Sequence, residues 1–316
     1  MPELQEKAVI TQPGRTAEMA EKPKDEMSDY EGRGLLADRK ALITGGDSGI
    51  GRAVAVAFAK EGAHVAIAYL EEDADAQRTC DLVEEQGGHS LAVRGDLTDP
   101  AQCRAAVESA VDRFGAIDVL VNNAAYQCVV EDFTDIADEQ WRRTFATNID
   151  SFFHVTKSAV PHMPKGSSII NTASINGLRG HKSLVDYSAT KGAVLAFTYS
   201  LSQNLAERGI RVNAVAPGPV WTPLIPSTMP PDQVKEFGQS TPLGRPAQPK
   251  ELAPAYVIGE RRGEPYFGRH GRGHRQQAAD LGSDHCERHF AIRGIPGHLS
   301  AARRAKGGRR RGVACR

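Results

Sequence analysis

The chain has 316 residues, of which 40% are hydrophobic and 25% are charged, and its formal net charge at pH 7 is zero. Such a composition can bury a substantial core and excludes the disordered and fibrous classes of protein. No apolar run reaches the roughly 18 residues that a membrane span needs, and the first residues are polar, so we expect a cytoplasmic protein with no membrane partner.

Residues 1–35 are polar and show no periodicity that could bury one face, so they predict a flexible N-terminal arm. From Lys40 onward, short β-branched runs alternate with amphipathic stretches. Strands are predicted near 40–44, 64–69, 90–95, 117–122, 167–173 and 210–216, and helices near 50–61, 73–86, 100–114, 138–160 and 184–208. This alternation predicts an α/β domain over residues 36–257, with a Rossmann-type doubly wound parallel sheet, three αβα layers and strand order 3-2-1-4-5-6.

A glycine-rich segment follows the first predicted strand and opens the first predicted helix. It reads Thr44-Gly45-Gly46-Asp47-Ser48-Gly49-Ile50-Gly51. Glycines let a backbone approach a pyrophosphate closely, and a helix N-terminus offers free N–H groups. The segment therefore predicts a dinucleotide site, with an ordinary tight strand-to-helix turn as the alternative.

Tyr187 and Lys191 are four residues apart in a predicted helix, which places both side chains on one face. An ammonium beside a phenol stabilises the phenolate and lowers a pKa that is otherwise roughly 10, so the pair is a candidate acid/base. Ser174 ends the fifth predicted strand, at the edge where open α/β sheets bind ligands, and its hydroxyl is placed to hold a substrate oxygen. A solvated helix face and a turn serine are the alternatives for these residues taken singly.

Prolines recur between residues 217 and 246, after the sixth predicted strand, and leave little room for regular structure. Because this stretch follows the carboxyl edge of the sheet, we expect it to cover a ligand. A surface excursion without a binding role is the alternative.

In this order and spacing, these segments resemble the short-chain dehydrogenase/reductase family over residues 36–257. The matching motifs are the glycine-rich segment, Asp96, Asn122-Asn123-Ala124-Ala125, Asn148, Ser174, Tyr187 with Lys191, and Pro217-Gly218-Pro219-Val220-Trp221-Thr222. Within the family, the chain looks like the glucose/ribitol-dehydrogenase-like, general-stress and aldehyde-reductase group. The resemblance implies reversible hydride transfer between a nicotinamide and a small alcohol or carbonyl compound, and a homotetramer.

The resemblance also implies a role for each catalytic residue. Tyr187 would donate or accept the hydroxyl proton, and Ser174 would hydrogen-bond the reacting oxygen. Lys191 would lower the Tyr187 pKa and hold the nicotinamide ribose, while Asn148 would hold a water that links Lys191 to solvent. The residues expected to bind the cofactor are Gly45, Asp47, Ser48, Gly49, Ile50, Gly51, Tyr69, Asp96, Leu97, Asn123, Ala124, Ala125, Tyr187, Lys191, Pro217, Gly218, Val220 and Thr222. The five cysteines are widely spaced without a Cys-x-x-Cys pair, so no metal is expected.

The end of the second strand indicates which nicotinamide cofactor the site prefers. NAD sites place a carboxylate there for the adenosine ribose, and NADP sites place an Arg nearby. This chain has Tyr69 and Leu70 instead, with Glu71 and Glu72 one turn late and interpreted as solvated. Because the ribose carboxylate is missing, NADP(H) is favoured over NAD(H).

The residues expected to face the substrate are Tyr126, Gln127, Ile175, Gly177, Trp221 and Leu224. Their mixture of apolar and polar groups suits a small aldehyde, ketone or polyol. Two alternatives come from other classes of protein: an inactive cofactor-binding regulator, and a nucleic-acid binder that uses a basic tail. The intact set Ser174, Tyr187, Lys191 and Asn148 favours the enzyme.

Residues 258–316 differ in composition from the rest of the chain. They hold 14 Lys and Arg against 5 Asp and Glu, whereas residues 1–257 hold 25 against 34. A basic, Arg/Gly-rich segment can bind nucleic acid nonspecifically, but we favour a shifted reading frame. Writing residues 258–275 in GC-rich codons and dropping one base yields Ser-Ala-Ser-Asp-Glu-Ala-Ser and then a strand ending in Val-Thr-Gly, which resemble the family's continuation.

A frameshift at residue 258 would remove the family's seventh strand. We therefore expect the sixth strand to lie unpaired at the sheet edge, a weakened subunit contact there, and a poorly ordered tail over residues 258–316. The alternative is a genuinely divergent C-terminus.

Overall fold

The computed structural model describes residues 10–261 and 290–293, which form a seven-stranded sheet in the order β3-β2-β1-β4-β5-β6-β7. The strands are β1 (Lys40–Thr44), β2 (His64–Tyr69), β3 (Ser90–Arg94), β4 (Val119–Asn122), β5 (Ser168–Thr172), β6 (Arg211–Ala216) and β7 (Phe290–Arg293). Strands β1 to β6 are parallel, with β1 paired to both β2 and β4. The predicted doubly wound sheet and the order of its first six strands are confirmed.

Helices cover the sheet. They are α1 (Gly49–Lys60), α2 (Asp73–Glu84), α3 (Pro100–Phe114), α4 (Asp138–Phe145), α5 (Ser151–Ala159), α6 (Asn176–Arg179), α7 (Val185–Asn204), α8 (Leu224–Thr228), α9 (Pro231–Glu236) and α10 (Pro249–Arg261). Short 3₁₀ turns lie at Thr16–Glu18, Phe133–Asp135, Val160–His162 and Ala206–Arg208. Helices α8 and α9 lie within the proline-rich stretch, which holds more regular structure than expected. Among the described helices, none combines the length and apolar character that crossing a membrane requires.

The core lies on both faces of the sheet. Strands β1 and β4 read as continuous apolar runs, and the side chains of Leu42, Ile43 and Leu120 are fully buried, as expected for parallel strands covered on both sides. One apolar cluster joins the sheet to α1, α2 and α10, and a second joins it to α3 and α5. Helix α1 packs between α2 and α10, which explains why nearly all its residues are apolar and buried.

A π-helical turn, Ala146–Asp150, interrupts the long helix predicted over residues 138–160 and divides it into α4 and α5. Such turns insert an extra residue per turn and are frequent at functional sites. Asn148 lies in this turn and is fully buried. The interruption therefore turns the expected catalytic asparagine toward the protein interior.

The expectation that the sixth strand lies unpaired is wrong. Residues 290–293 form β7, which pairs antiparallel with β6 in the register Asn213↔Arg293 to Ala216↔Phe290. The exposed N–H and C=O groups of an edge strand bind any extended segment that reaches them, in either direction. The other predictions for the tail, its disorder and its shifted reading frame, concern residues that lie outside the described ranges 10–261 and 290–293.

The N-terminal arm, which we expected to be flexible, packs on the domain over residues 10–35. Ile10 and Met19 are buried against Trp221 and Ile225, and Met27 is buried against the sheet and α1. The arm lacks helical or strand periodicity because it buries single apolar side chains in separate pockets. Its docking therefore depends on surfaces that are distant in sequence.

Met27→Ala is expected to lower the free energy of unfolding by about 2–5 kcal/mol, because Met27 is 2% exposed and its removal leaves a cavity. The matched control is Glu31→Ala, an exposed position in the same arm that should change stability by less than about 0.5 kcal/mol. Urea denaturation of both variants measures the difference. Equal stability of the two variants would show that the arm is detached in solution.

Candidate active site

A cleft of about 490 Å³ lies at the carboxyl ends of the parallel strands. It is lined by nearly all the predicted site residues: Gly45, Asp47, Ser48, Ile50, Tyr69, Asp96, Leu97, Asn123, Ala124, Ala125, Ser174, Tyr187, Lys191, Pro217, Gly218, Val220 and Thr222. Gly49, Gly51 and Asn148 do not line it. Of the expected substrate contacts, Tyr126, Gln127, Ile175 and Leu224 line the cleft, whereas Gly177 and Trp221 do not.

The glycine-rich turn needs its glycines for two physical reasons. Gly45 has a φ of +61°, in the left-handed region that L side chains rarely adopt. A Cβ on Gly51 would lie 1.9 Å from the carbonyl oxygen of Gly45, so a side chain there is impossible without moving the turn. Gly51 therefore shapes the cleft from behind, although it does not line it.

The end of β4 fixes the turn from the opposite side. The Asn123 amide Nδ2 donates to the carbonyl oxygens of Thr44 (3.2 Å) and Gly45 (3.0 Å), and the Asn123 backbone N–H donates to the Thr44 hydroxyl (2.9 Å). These bonds join the ends of the two central strands, where the strand order reverses. Ligands of open α/β sheets bind at this position.

Arg52 holds the turn from beneath. Its guanidinium, 2% exposed, donates to the Asp47 carbonyl oxygen (2.6 Å) and to the Asp75 carboxylate (2.9 Å), and lies 3.6 Å from the Asp25 carboxylate. A buried cation requires such partners. Its donors are therefore directed into the protein, and Arg52 does not line the cleft.

Asp25 is a site residue that sequence reasoning missed. Its carboxylate accepts a hydrogen bond from the Gly49 N–H (3.0 Å) and so caps α1, in place of Ser48, whose side chain makes no cap bond. Burial raises the pKa of Asp25 to about 6, although Arg52 lowers it. In the sequence, Asp25 is one of several charged residues between Met19 and Met27, and nothing distinguishes it from its neighbours.

Helix α7 carries Tyr187 and Lys191 beneath the opposite end of the cleft. Lys191 is 1% exposed, its Nζ donates to the Thr172 carbonyl oxygen (2.8 Å), and it lies 5.6 Å from the centre of the Tyr187 ring. Burial lowers the Lys191 pKa to about 7. Among the described residues, Thr172 is its one hydrogen-bond partner, so two of the three N–H donors of the ammonium are left for a ligand.

The Tyr187 phenol has a raised pKa, because burial disfavours the phenolate, and a hydrogen bond with Ser174 lowers it in part. The four-residue spacing of Tyr187 and Lys191 predicts that Lys191 lowers this pKa. The structure does not show that effect, since the same burial that surrounds the phenol also disfavours the charged form of Lys191.

Asn148 supports α7 through its side chain. Its Oδ1 accepts from the Tyr126 N–H (2.7 Å), and its Nδ2 donates to the Tyr126 carbonyl oxygen (2.8 Å) and to the Thr190 hydroxyl (3.1 Å). Thr190 in turn donates to the Tyr187 carbonyl oxygen (2.7 Å). Asn148 thus links the wall of the cleft to the turn of α7 between Tyr187 and Lys191.

These features fit a nicotinamide dinucleotide. Backbone without side chains is exposed at Gly45, the N-terminus of α1 faces the cleft, and a Cβ on Gly218 would meet nothing within 4 Å, which leaves room beside it. The open donors of Lys191 lie at one end of the cleft, and Glu72 lies at the other with a buried carboxylate oxygen that has no partner among the described residues.

Three curated relatives are similar over most of their length. General stress protein 39 of Bacillus subtilis is 51% identical over 256 residues, which cover 81% of this chain and 90% of the relative. The NADPH-dependent aldehyde reductase 1 of Arabidopsis thaliana is 48% identical, with 78% and 88% covered. The glucose and ribitol dehydrogenase of Daucus carota is 46% identical, with 78% and 87% covered.

Solved structures of dehydrogenases and reductases are also similar to this chain. A short chain dehydrogenase from Burkholderia cenocepacia in complex with NADP superposes with a TM-score of 0.68 at 28% identity, covering 72% of this chain and 92% of that one. A 3-ketoacyl-(acyl-carrier-protein) reductase from Brucella melitensis complexed with NADH gives 0.64 at 34% identity, covering 71% and 90%.

The sequence profile of the family described as Enoyl-(Acyl carrier protein) reductase matches residues 45–258. The match ends where the sequence analysis places the departure from the family. Because the profile covers more than half of the chain and the relatives are similar over most of their length, the family is established. The chain belongs to the short-chain dehydrogenase/reductase family.

Proposed function

We propose that this oxidoreductase transfers hydride between NADP(H) or NAD(H) and a small alcohol or carbonyl compound, with Tyr187 as the acid/base. The observation that carries the proposal is the placement of Ser174, Tyr187 and Lys191 in the same cleft as the glycine-rich turn. Ser174 hydrogen-bonds the phenol, so both hydroxyls can bind one substrate oxygen. The bound nicotinamide would supply or accept the hydride.

We assign two parts of the cofactor to opposite ends of the cleft. We assign the pyrophosphate to the turn Gly45 to Ile50 at the N-terminus of α1, and the nicotinamide end to Lys191 and the segment from Pro217 to Thr222. Asp96, Leu97 and the segment from Asn123 to Ala125 form the wall between these ends. All of these segments line the cleft.

Lys191 is proposed to activate Tyr187 once ribose hydroxyls accept hydrogen bonds from its two open donors. Hydrogen bonds to the charged form favour it, so the Lys191 pKa should rise from about 7 and the ammonium should persist at neutral pH. A persistent cation 5.6 Å from the Tyr187 ring then lowers the phenol pKa. The acid/base thus becomes effective only in the loaded site.

Asn148 is proposed to position α7 and the cleft wall, through its bonds to Thr190 and Tyr126. Its expected water, linking Lys191 to solvent, stays a prediction. The second lone pair of its Oδ1 is the acceptor that such a water requires.

For the substrate we propose a small aldehyde, ketone or polyol. The cleft walls combine the apolar Ile175 and Leu224 with the amide of Gln127 and the phenol of Tyr126. Two relatives support this class by name, the aldehyde reductase and the glucose and ribitol dehydrogenase. A homo-oligomer and a cytoplasmic location also stay predictions.

Tyr187→Phe is expected to reduce turnover of small aldehydes by at least about 10²-fold, because it removes the proton-transfer group, while nucleotide affinity changes less than about twofold. The matched control is Tyr199→Phe, an exposed tyrosine of the same helix, which should keep full activity. Steady-state kinetics and fluorescence titration with nucleotide measure the two quantities. Substantial turnover by Tyr187→Phe would exclude this acid/base.

Lys191→Met is expected to abolish turnover and weaken nucleotide binding, yet to increase the free energy of unfolding at pH 7. The folded pKa of about 7 lies below the unfolded value, so the wild type loses stability as pH falls from about 10 to 7 and levels off below that. The stabilisation by Lys191→Met should therefore be about 2 kcal/mol smaller at pH 9 than at pH 7. The exposed control Lys182→Met should show no such pH dependence, and the same behaviour in both variants would contradict burial of the Lys191 charge.

We propose a preference for NADP(H), because neither Tyr69 nor Leu70 supplies a ribose carboxylate. The NADPH-dependent relative supports it. Comparison of kcat/KM for NADPH and NADH at pH 7 and equal concentrations is expected to favour NADPH. A tenfold or larger advantage for NADH, about 1.4 kcal/mol, would reverse the assignment.

A further inference from the structure

Glu72 lies between β2 and α2 and lines the cleft at the end opposite Lys191. The residue is only 5% exposed, so it is not the solvated side chain that the sequence suggested. Its Oε2 accepts from the Glu71 N–H (3.3 Å), and its Oε1 is buried with no hydrogen-bond partner among residues 10–261 and 290–293. A buried carboxylate oxygen without a partner is costly, and a ligand hydroxyl would satisfy it.

The position of Glu72 corresponds to the adenosine ribose. In dinucleotide folds, an acidic side chain about 20 residues after the glycine segment contacts the ribose 2′-hydroxyl. The two residues at the end of β2 do not replace it, since the Tyr69 hydroxyl bonds Asp73 (2.8 Å) and Leu70 is apolar. Glu72 is therefore the first carboxyl group after β2 that lines the cleft, and it can act as a ribose carboxylate only when it is ionised.

Cations do not surround this end of the cleft. Among the described residues, the Lys and Arg side chains that line the cleft are Arg143, Arg179 and Lys191. They lie on α4, α6 and α7, which follow β4 and β5, whereas Glu72 follows β2. A 2′-phosphate would thus meet Glu72 without a compensating positive charge. An ionised Glu72 repels it, whereas a protonated Glu72 can donate a hydrogen bond to it.

The charges around Glu72 keep its protonated form accessible. The Glu72 pKa is raised to about 7, first by burial and then by the charges of Asp47 and Glu71, although hydrogen bonds from the backbone N–H groups of Glu71 and Glu72 lower it in part. Burial also raises the pKa of Asp47 in the glycine-rich turn. Arg52 lies behind Asp47 and is bound to Asp75.

On the other side of Glu72, the charged groups of α2 and β3 pair with each other. Arg94 lies 3.3 Å from the Asp73 carboxylate, and both side chains are more than half exposed. Exposed pairs of this kind contribute little field at a buried site. Asp47 and Glu71 are therefore the charges that act on Glu72.

We propose that Glu72 discriminates between the two cofactors at the ribose 2′ position, its carboxylate accepting a hydrogen bond from a 2′-hydroxyl and its protonated carboxyl donating one to a 2′-phosphate. This inference rests on the proposed nicotinamide-dependent function. Its consequence is that the preference for the 2′-phosphate decreases as pH rises through about 7, where Glu72 ionises.

Binding of two cofactor fragments tests this without turnover. The affinities of 2′,5′-ADP and 5′-AMP are measured by calorimetry at pH 6 and pH 8.5, on the full chain and on Glu72→Gln. In the wild type, the affinity ratio of 2′,5′-ADP to 5′-AMP is expected to fall at least about fivefold between the two pH values. Glu72→Gln, which stays neutral, should raise 2′,5′-ADP affinity about tenfold at pH 8.5, equivalent to about 1.4 kcal/mol.

Glu71→Gln is the matched control, since this neighbouring glutamate is exposed. It should retain a pH dependence, with a midpoint at slightly lower pH, because the charge of Glu71 contributes to the raised Glu72 pKa. The 2′-phosphate of the fragment also titrates in this pH range. The decisive quantity is therefore the change with pH in the affinity ratio of 2′,5′-ADP to 5′-AMP, compared between Glu72→Gln and the wild type. A pH dependence that is the same in both overturns the proposal, even if the enzyme reduces aldehydes as proposed. Failure of both fragments to bind overturns the proposed function together with this assignment.

Discussion

The burial of one ammonium, that of Lys191, is the constraint on which the active site depends. The side chain is enclosed by the sheet and α7, with Thr172 as its one hydrogen-bond partner among the described residues, and its pKa falls to about 7. A charge in this position is stable only when a ligand completes its hydrogen bonds. Burial raises the Tyr187 pKa as well. Without a ligand, the site therefore holds a phenol that resists ionisation beside an amine that is only partly protonated at neutral pH. Under the proposed function, this arrangement would restrict acid/base chemistry to the cofactor-bound state.

A second buried cation, Arg52, organises the opposite end of the cleft. It connects the glycine-rich turn to α2 through Asp75 and to the N-terminal arm through Asp25. The arm also contacts residues beyond the turn: the Trp221 indole N–H donates to the Glu21 carbonyl oxygen (2.9 Å), and the Gln12 side-chain amide donates to the Gln127 carbonyl oxygen (3.0 Å). One segment therefore contacts both the glycine-rich turn and the residues Gln127 and Trp221.

Local patterns in the sequence predicted the parts of the fold that local patterns determine. The first six strands agree within two residues at each end, because each is an apolar run between turn signals, and the glycine-rich turn, Ser174, Tyr187 and Lys191 share the cleft as expected. Features that depend on distant contacts were missed. The arm buries isolated side chains, and β7 pairs with β6 although the two strands are far apart in the sequence. The π-helical turn at Asn148 has no periodic signal, and the burial of Glu72 follows from the packing around it. The direction of the Tyr187 pKa shift likewise follows from burial, which spacing alone does not reveal.

The most direct test of this account is a pH titration of Tyr187 with and without cofactor. The protein contains seven tyrosines, so NMR with ¹³C-labelled tyrosine, assigned by comparison with Tyr187→Phe, can follow this phenol alone. We expect a Tyr187 pKa above its ordinary value in the free protein and a decrease of about two units when NADP⁺ saturates the site. The decrease should be absent in Lys191→Met. A Tyr187 pKa that does not change when the cofactor binds would contradict the account.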